Sequence, residues 1–163
     1  MAEMVPLLSA PPTAIEALLD AAFGEDRHQR TAYRLRTDSE PIASLSFAII
    51  DNEQPIASIQ CWSVQIGVAR LILVGPVAVH PDRQNEGHGN RLMLAMIKAA
   101  QDLGEPPMVL VGDAEYYGRF GFSADATAGW KMPGPWEPRR LLARNPAGHA
   151  LPATGMLESA DAL

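Results

Sequence analysis

LILVGPVAVHPDRQNEGHGNRLMLAMI, residues 71–97, decides how this chain folds. The first part, LILVGPVAV at 71–79, is the oiliest run in the protein and reads as a strand buried on both faces. From Gly89 to Gly104 the pattern turns helical, with Leu92, Leu94, Ala95, Met96, Ile97, Ala99, Ala100 and Leu103 on its apolar side. Between them stand Gly87 and Gly89. Inside a helix each glycine costs about 1 kcal/mol against alanine, so their place at a strand-to-helix junction needs a reason. Two reasons are open. A tight turn alone would use them. So would an anion site, because such a junction aims free backbone N–H groups and a helix dipole at one point, and glycine lets a bulky diphosphate approach the backbone. Within the strand, Gly75-Pro76 interrupts the ladder: proline has no donor there, and the pair predicts a bulge.

Outward from this stretch, MVLVG at 108–112 reads as a further strand and AEYYGRF at 114–120 as one or two helical turns. Upstream, LSFAII at 45–50 and PIASIQCWSVQI at 55–66 flank the turn DNEQ and read as a hairpin. The second of these has apolar residues on both alternating faces, so it expects cover on both sides. Residues 4–9 read as a short strand. Ile15, Leu18, Leu19, Ala22 and Phe23 predict a helix entered at Pro11-Pro12-Thr13 and stopped by Gly24. A more polar helix is expected from Asp26 to about Arg36. RRLLAR reads as the final strand, after a Pro- and Gly-rich tail anchored by Trp130 and Trp136. The order implies an α/β (α+β) single domain over residues 1–163 with a mixed sheet.

The bulk numbers narrow the function. The chain has 163 residues, 47% of them hydrophobic, enough for one domain with a real core. Its net charge of -6 argues against wrapping a nucleic-acid backbone. A single cysteine, Cys61, makes neither an internal disulfide nor a Cys-based zinc site, which suits a reducing compartment. MAEMVPLLSAPP lacks the basic start and apolar core of a signal peptide, and no run reaches the roughly 18 apolar residues of a membrane span. The expectation is a cytoplasmic protein without nucleic-acid or membrane partners. The four histidines show no metal-ligand spacing, so no metal is expected. There is no G-x-S-x-G elbow for a serine hydrolase.

Two familiar phosphate loops fail. No G-x-x-x-x-G-K-[ST] string exists, and Leu92 occupies the third glycine position of G-x-G-x-x-G. What fits is Q-x-x-G-x-G, as Gln84, Asn85, Glu86, Gly87, His88 and Gly89, preceded by VAVHPD and followed by NRLMLAMI. This resembles the acetyl-CoA loop of the GNAT superfamily of N-acetyltransferases. VGDAEYYGRFGF at 111–122 resembles the segment that follows in many members, especially a bacterial subgroup with a VGD…YYxRFGF pattern. The two motifs stand in the expected order, and the resemblance covers about residues 71–122.

The resemblance implies a central sheet splayed at the bulged strand and flanked by helices. Acetyl-CoA would be the co-substrate. Its pantetheine arm would pair with the backbone of Val77, Ala78 and Val79, and its diphosphate would rest on the loop from Gln84 through Asn85, Glu86, Gly87, His88 and Gly89 to Asn90. Glu86 departs from the family's usual basic or small residue and is expected to face solvent. Tyr117, five residues before Phe122, would be the acid that protonates the departing thiolate, with Tyr116 as the alternate. No residue stands out as general base. Arg83 and Arg91 flank the loop, with two readings open for each: contact with a CoA phosphate, or exposure to solvent. The implied activity is acetyl transfer to a primary amine of a small-molecule or peptide acceptor, with a homodimer common in the family. The rival is a non-catalytic acyl-CoA-binding or sensor module of the same fold. The acidic balance favours a cationic acceptor.

Overall fold

The two longest apolar runs pair with each other. In the computed structural model, which describes residues 1–36 and 39–160, β3 (Gln54–Ile66) and β4 (Ala69–Val79) run antiparallel from Ala57↔Val79 to Ile66↔Ala69. The last three residues of the expected 1–163 domain lie outside the described residues. β2 (Phe47–Asp51) pairs with β3, and β1 (Glu3–Pro6) with β2. On the other side, β5 (Met108–Val111) lies parallel to β4, and β7 (Leu141–Arg144) closes that edge antiparallel to β5. β6 (Gly129–Lys131) and β8 (Thr154–Ser159) pair with each other, and β8 also pairs with the far end of β3, giving a mixed sheet of eight strands.

Both faces of the hairpin are covered, as its double-sided pattern demands. Helix α1 (Pro12–Phe23) sets Ile15, Leu18 and Leu19 against Ala48 and Ala78 on one face. Helix α2 (His88–Gln101) sets Leu92, Met93 and Met96 against Ile49, Ile59 and Cys61 on the other. Around the far ends of β3 and β4, Trp62, Val64, Leu71 and Leu73 pack with Leu35, Trp130, Leu141 and Leu157. Trp130 anchors the tail as expected: it is buried, and its Nε1 donates to the Pro152 carbonyl at 2.8 Å.

The expected bulge is present. Ile59 pairs with Val77 but Cys61 pairs with Val74, so Gly75 and Pro76 together face the single residue Gln60. Gly75 has φ +128, a backbone state that side chains disfavour, and the Gly75-Pro76 peptide is cis. Trp62 Nε1 donates to the Gly75 carbonyl at 2.7 Å and holds the bulge from the neighbouring strand. Trp62→Phe removes that donor from a buried carbonyl. The expected loss is about 1–2 kcal/mol, read as a lower urea midpoint at unchanged slope.

Several elements differ from expectation. The strand expected at 4–9 ends at Pro6, and Leu7–Ser9 forms a 3-10 turn. The helix expected from Asp26 is two 3-10 turns, Glu25–Gln29 and Thr31–Leu35, broken where Arg30 is extended. Only Arg27 and Leu35 are buried in them, too narrow a stripe to stabilise a helix by packing. The strand expected from Leu45 starts at Phe47, after a turn at Ala43–Leu45. RRLLAR supplies β7 from Leu141 onward, but β8 follows it, so it is not the final strand.

Candidate active site

Parallel pairing between β4 and β5 is short. It joins Ile72 to Met108 and Leu73 to Val109, and stops at the bulge. Beyond it the strands part. Val77, Ala78 and Val79 remain bonded to β3, while their β5-facing edge has no strand partner among the described residues. Ala78 is fully buried, and Val77 and Val79 pack partly buried against the α2-side core. Their side chains therefore serve packing, and any ligand pairing falls to the backbone.

A cleft of about 860 Å³ follows this parting. Gly75, Pro76 and Val77 form one wall, and Leu110, Val111, Gly112 and Asp113 the other. Tyr116 and Tyr117 face it from the helix α3 (Ala114–Tyr117). The cleft continues to the 3-10 segment around Arg27, Arg30, Tyr33 and Arg36, and to the tail around Trp136 and Arg140.

At the end of β4 the chain turns through Pro81–Arg83, where His80 Nδ1 caps the turn by accepting from the Asp82 amide at 3.1 Å. Gln84 Nε2 donates to the Val79 carbonyl at 3.2 Å and ties the loop to the strand. Asn85 (φ +66) and Gly87 (φ +83) both take left-handed backbone conformations, which asparagine and glycine tolerate best. Gly87 is the N-cap of α2, and no side chain caps the helix. The first helical bond runs from the Arg91 amide to the Gly87 carbonyl at 3.0 Å. The amides from Asn85 to Asn90 have no acceptor among the described residues. Six neighbouring N–H groups at a helix N-terminus, left without partners among the described residues, form an anion cradle.

Glu86 does not simply face solvent. It is 42% exposed, and its carboxylate accepts from Arg83 Nε at 3.0 Å and lies 3.0 Å from His88 Nε2. Hydrogen bonds from Arg83 and then His88 hold its pKa below the usual carboxylate range. Arg83 is in turn held by Asp51 at 2.9 Å. The charge that departs from the family pattern is thus neutralised within the loop, and Arg83 is committed to doing so. His88 is buried, and its ring serves this network.

Asp113 caps α3, its Oδ1 accepting from the Glu115 amide at 3.0 Å. The rings of Tyr116 and Tyr117 meet edge to face at 4.8 Å. Tyr117 also meets Phe122 at 6.4 Å and lies against Gly112, where any β-carbon would run into its ring. Burial, then the neighbouring Tyr116, raise its pKa above the ordinary tyrosine value of 10.0, so the phenol keeps its proton at neutral pH. Tyr116 is partly buried against Phe120, with Arg119 over its ring, as a packing residue should be. Its hydroxyl also approaches the loop, 3.6 Å from where a β-carbon on Gly89 would stand.

Cys61 is fully buried, and burial pushes its thiol pKa up, so it is inert packing. Among the described residues, no group of His, Cys, Asp and Glu side chains could hold a metal, and no helix is long and apolar enough to cross a membrane. Arg144 is largely buried and bonds to the Phe120 carbonyl and Glu105. Sequence reasoning missed the arginines and tyrosine of residues 27–36, which line the cleft. Their only sequence signal is an excess of arginine in a segment lacking an apolar stripe.

The splayed sheet, the cleft at its parting and the uncapped helix at its mouth are the arrangement that the GNAT resemblance implied. Residues 43–124 match the model of the acetyltransferase (GNAT) domain, about half of the chain, and the protein belongs to that family. Among solved structures, it resembles the GNAT family N-acetyltransferase YhbS from Escherichia coli, crystallised with CoA, at 21% identity and a TM-score of 0.75 over 98% of this chain and 89% of that one. A GNAT family acetyltransferase from Brucella melitensis, crystallised with acetyl-CoA, is 24% identical with a TM-score of 0.69 over 98% and 96% of the two chains. At these identities the likeness is one of fold. No curated protein sequence matches the chain.

Proposed function

We propose that residues 1–163 act as one domain, an N-acetyltransferase that moves acetyl from acetyl-CoA to a primary amine by direct attack, in the cytoplasm. The observation that carries this reading is the pair formed by the strand edge at Val77–Val79 and the unpartnered amides of Asn85–Asn90. An extended pantetheine arm suits the first, and a diphosphate the second.

The amine nitrogen attacks the thioester carbonyl carbon, the C–S bond breaks, and the thiolate takes a proton from the Tyr117 hydroxyl. The proton lost from nitrogen passes to water. The amide near Val79 would polarise the carbonyl oxygen. Alignment in the cleft supplies most of the rate, up to about 7–11 kcal/mol in favourable cases. Thiol release from acetyl-CoA, measured against a panel of amines, tests the reading. A protein that binds CoA and never releases thiol above background is the non-catalytic binding module instead.

A pH profile follows from Tyr117. Its pKa is raised above 10.0, so the acid is fully protonated through neutral and mildly alkaline pH. The acceptor amine loses its proton over the same range. The expected kcat rises from neutral pH and declines only above about pH 10, as the tyrosine finally ionises. A descending limb near pH 8 would assign the acid to another group.

A further inference from the structure

Three arginines from the 3-10 segment, Arg27, Arg30 and Arg36, line the cleft opposite the parted strands. Arg27 is 3% exposed and fully engaged: it pairs with Glu16 and Asp20 and donates to the Tyr33 hydroxyl at 2.6 Å. The Arg30 guanidinium lies over the Phe23 ring at 5.0 Å. Arg36 differs from both. Its guanidinium sits between the rings of Tyr33 at 4.6 Å and Trp62 at 5.8 Å. Among the described residues no carboxylate pairs with it, and its Nε is buried without a hydrogen-bond partner. Burial, with Arg27 and Arg30 adding to it, brings its pKa down to about 10, which leaves it charged at neutral pH. A cation withdrawn from water with no carboxylate partner among the described residues is costly unless something else supplies one.

Its place says what that is. A β-carbon built on Gly75 would come within 3.7 Å of Arg36 Nη2. Gly75 is the bulge residue on the cleft wall, and Trp62, which flanks Arg36, also holds the Gly75 carbonyl. The guanidinium is therefore registered to the point where β4 and β5 part. The acids on the cleft wall are already engaged, Asp113 as the cap of α3 and Glu137 with Arg139 at 3.1 Å. The chain is acidic overall, yet among the described residues the cleft charges with neither an ionic partner nor a capping role are positive.

We infer that the acceptor is a small amine bearing a carboxylate, held by Arg36 at the bulge end of the cleft. This rests on the transferase reading for the fate of the amine, and it replaces the cationic acceptor that net charge suggested. The flat face of the guanidinium is braced by two aromatic rings, so its edge is preorganised for a two-point contact with a carboxylate.

The test uses matched ligands that differ only in the carboxylate: amino acids and their decarboxylated amines, with varied side chains. In the wild type, kcat/KM should favour the carboxylate member of each pair by roughly 10- to 100-fold. In Arg36→Gln the ratio should fall toward one, mainly through KM. Arg36→Lys should recover part of it, as a point charge without the fork. The same pairs are also measured by ligand-observed NMR on the CoA-free protein, which needs no turnover. Equal handling of the two members, preference for the decarboxylated one, an unchanged ratio in Arg36→Gln, or no binding of any carboxylate member up to about 10 mM overturns the inference. Calorimetry with CoA separates the two readings. A protein that selects carboxylates but ignores CoA sinks the transferase reading alone. One that binds CoA and cannot tell the pairs apart sinks only this one.

Discussion

Tyr117→Phe is expected to lower kcat by about 100- to 1000-fold while the fold and CoA binding persist. The change removes one oxygen and keeps the ring. The ring makes the packing contacts, against Tyr116, Phe122 and Gly112, and the Asp113 cap holds α3 independently of the hydroxyl. On the proposed mechanism, what disappears is the proton donor. Burial raises the pKa of this phenol, so in the proposed role it still carries its proton when the thiolate departs. Losing it costs about 3–4 kcal/mol of transition-state stabilisation. Single-turnover thiol release separates this from a binding defect, since KM should change little. Tyr116→Phe is the matched control, with an expected loss within about fivefold. If the large loss appears in Tyr116→Phe instead, the two tyrosines exchange roles. The Tyr116 hydroxyl, close to Gly89, is the geometric basis for that outcome.

The parts of this molecule that local pattern controls were legible before any coordinates. The apolar spacing from Ile15 to Phe23 is α1, the run at 71–79 is β4, and the turn with two glycines opens α2. Gly75-Pro76 announced its own bulge, because neither residue completes a ladder there. What stayed hidden depends on partners distant in sequence. TGMLES becomes β8 by pairing with β3 and β6, and only its Leu157 is buried. The polar helix expected from Asp26 to about Arg36 is instead two 3-10 turns that set arginines along the cleft. Glu86 looked like a liability on the loop until Arg83 and His88 were seen to engage it. Arg36 carried no signal beyond the arginine excess of its segment. Its meaning comes from Gly75 and Trp62, which the fold brings to it.

Gly89→Asp is expected to abolish CoA binding without harming the fold, and it isolates the anion cradle from everything else. Gly89 sits in the first turn of α2, and a β-carbon there would meet nothing closer than 3.6 Å. A carboxylate at a helix N-terminus stabilises it by about 0.3–1 kcal/mol, and any residue but proline gains on glycine within a helix. The melting temperature should therefore hold or rise. The same carboxylate occupies the field of the free amides at His88–Asn90 and repels a diphosphate. Two like charges about 4 Å apart at an effective dielectric near 20 oppose each other by roughly 4 kcal/mol, and screening leaves an expected weakening of at least about 100-fold. Calorimetry with CoA, alongside a thermal melt, reads both sides at once. A variant that melts higher and no longer binds CoA places the diphosphate on this loop. One that binds CoA as the wild type does moves the phosphate elsewhere, and the case for the Asn85–Asn90 cradle goes with it.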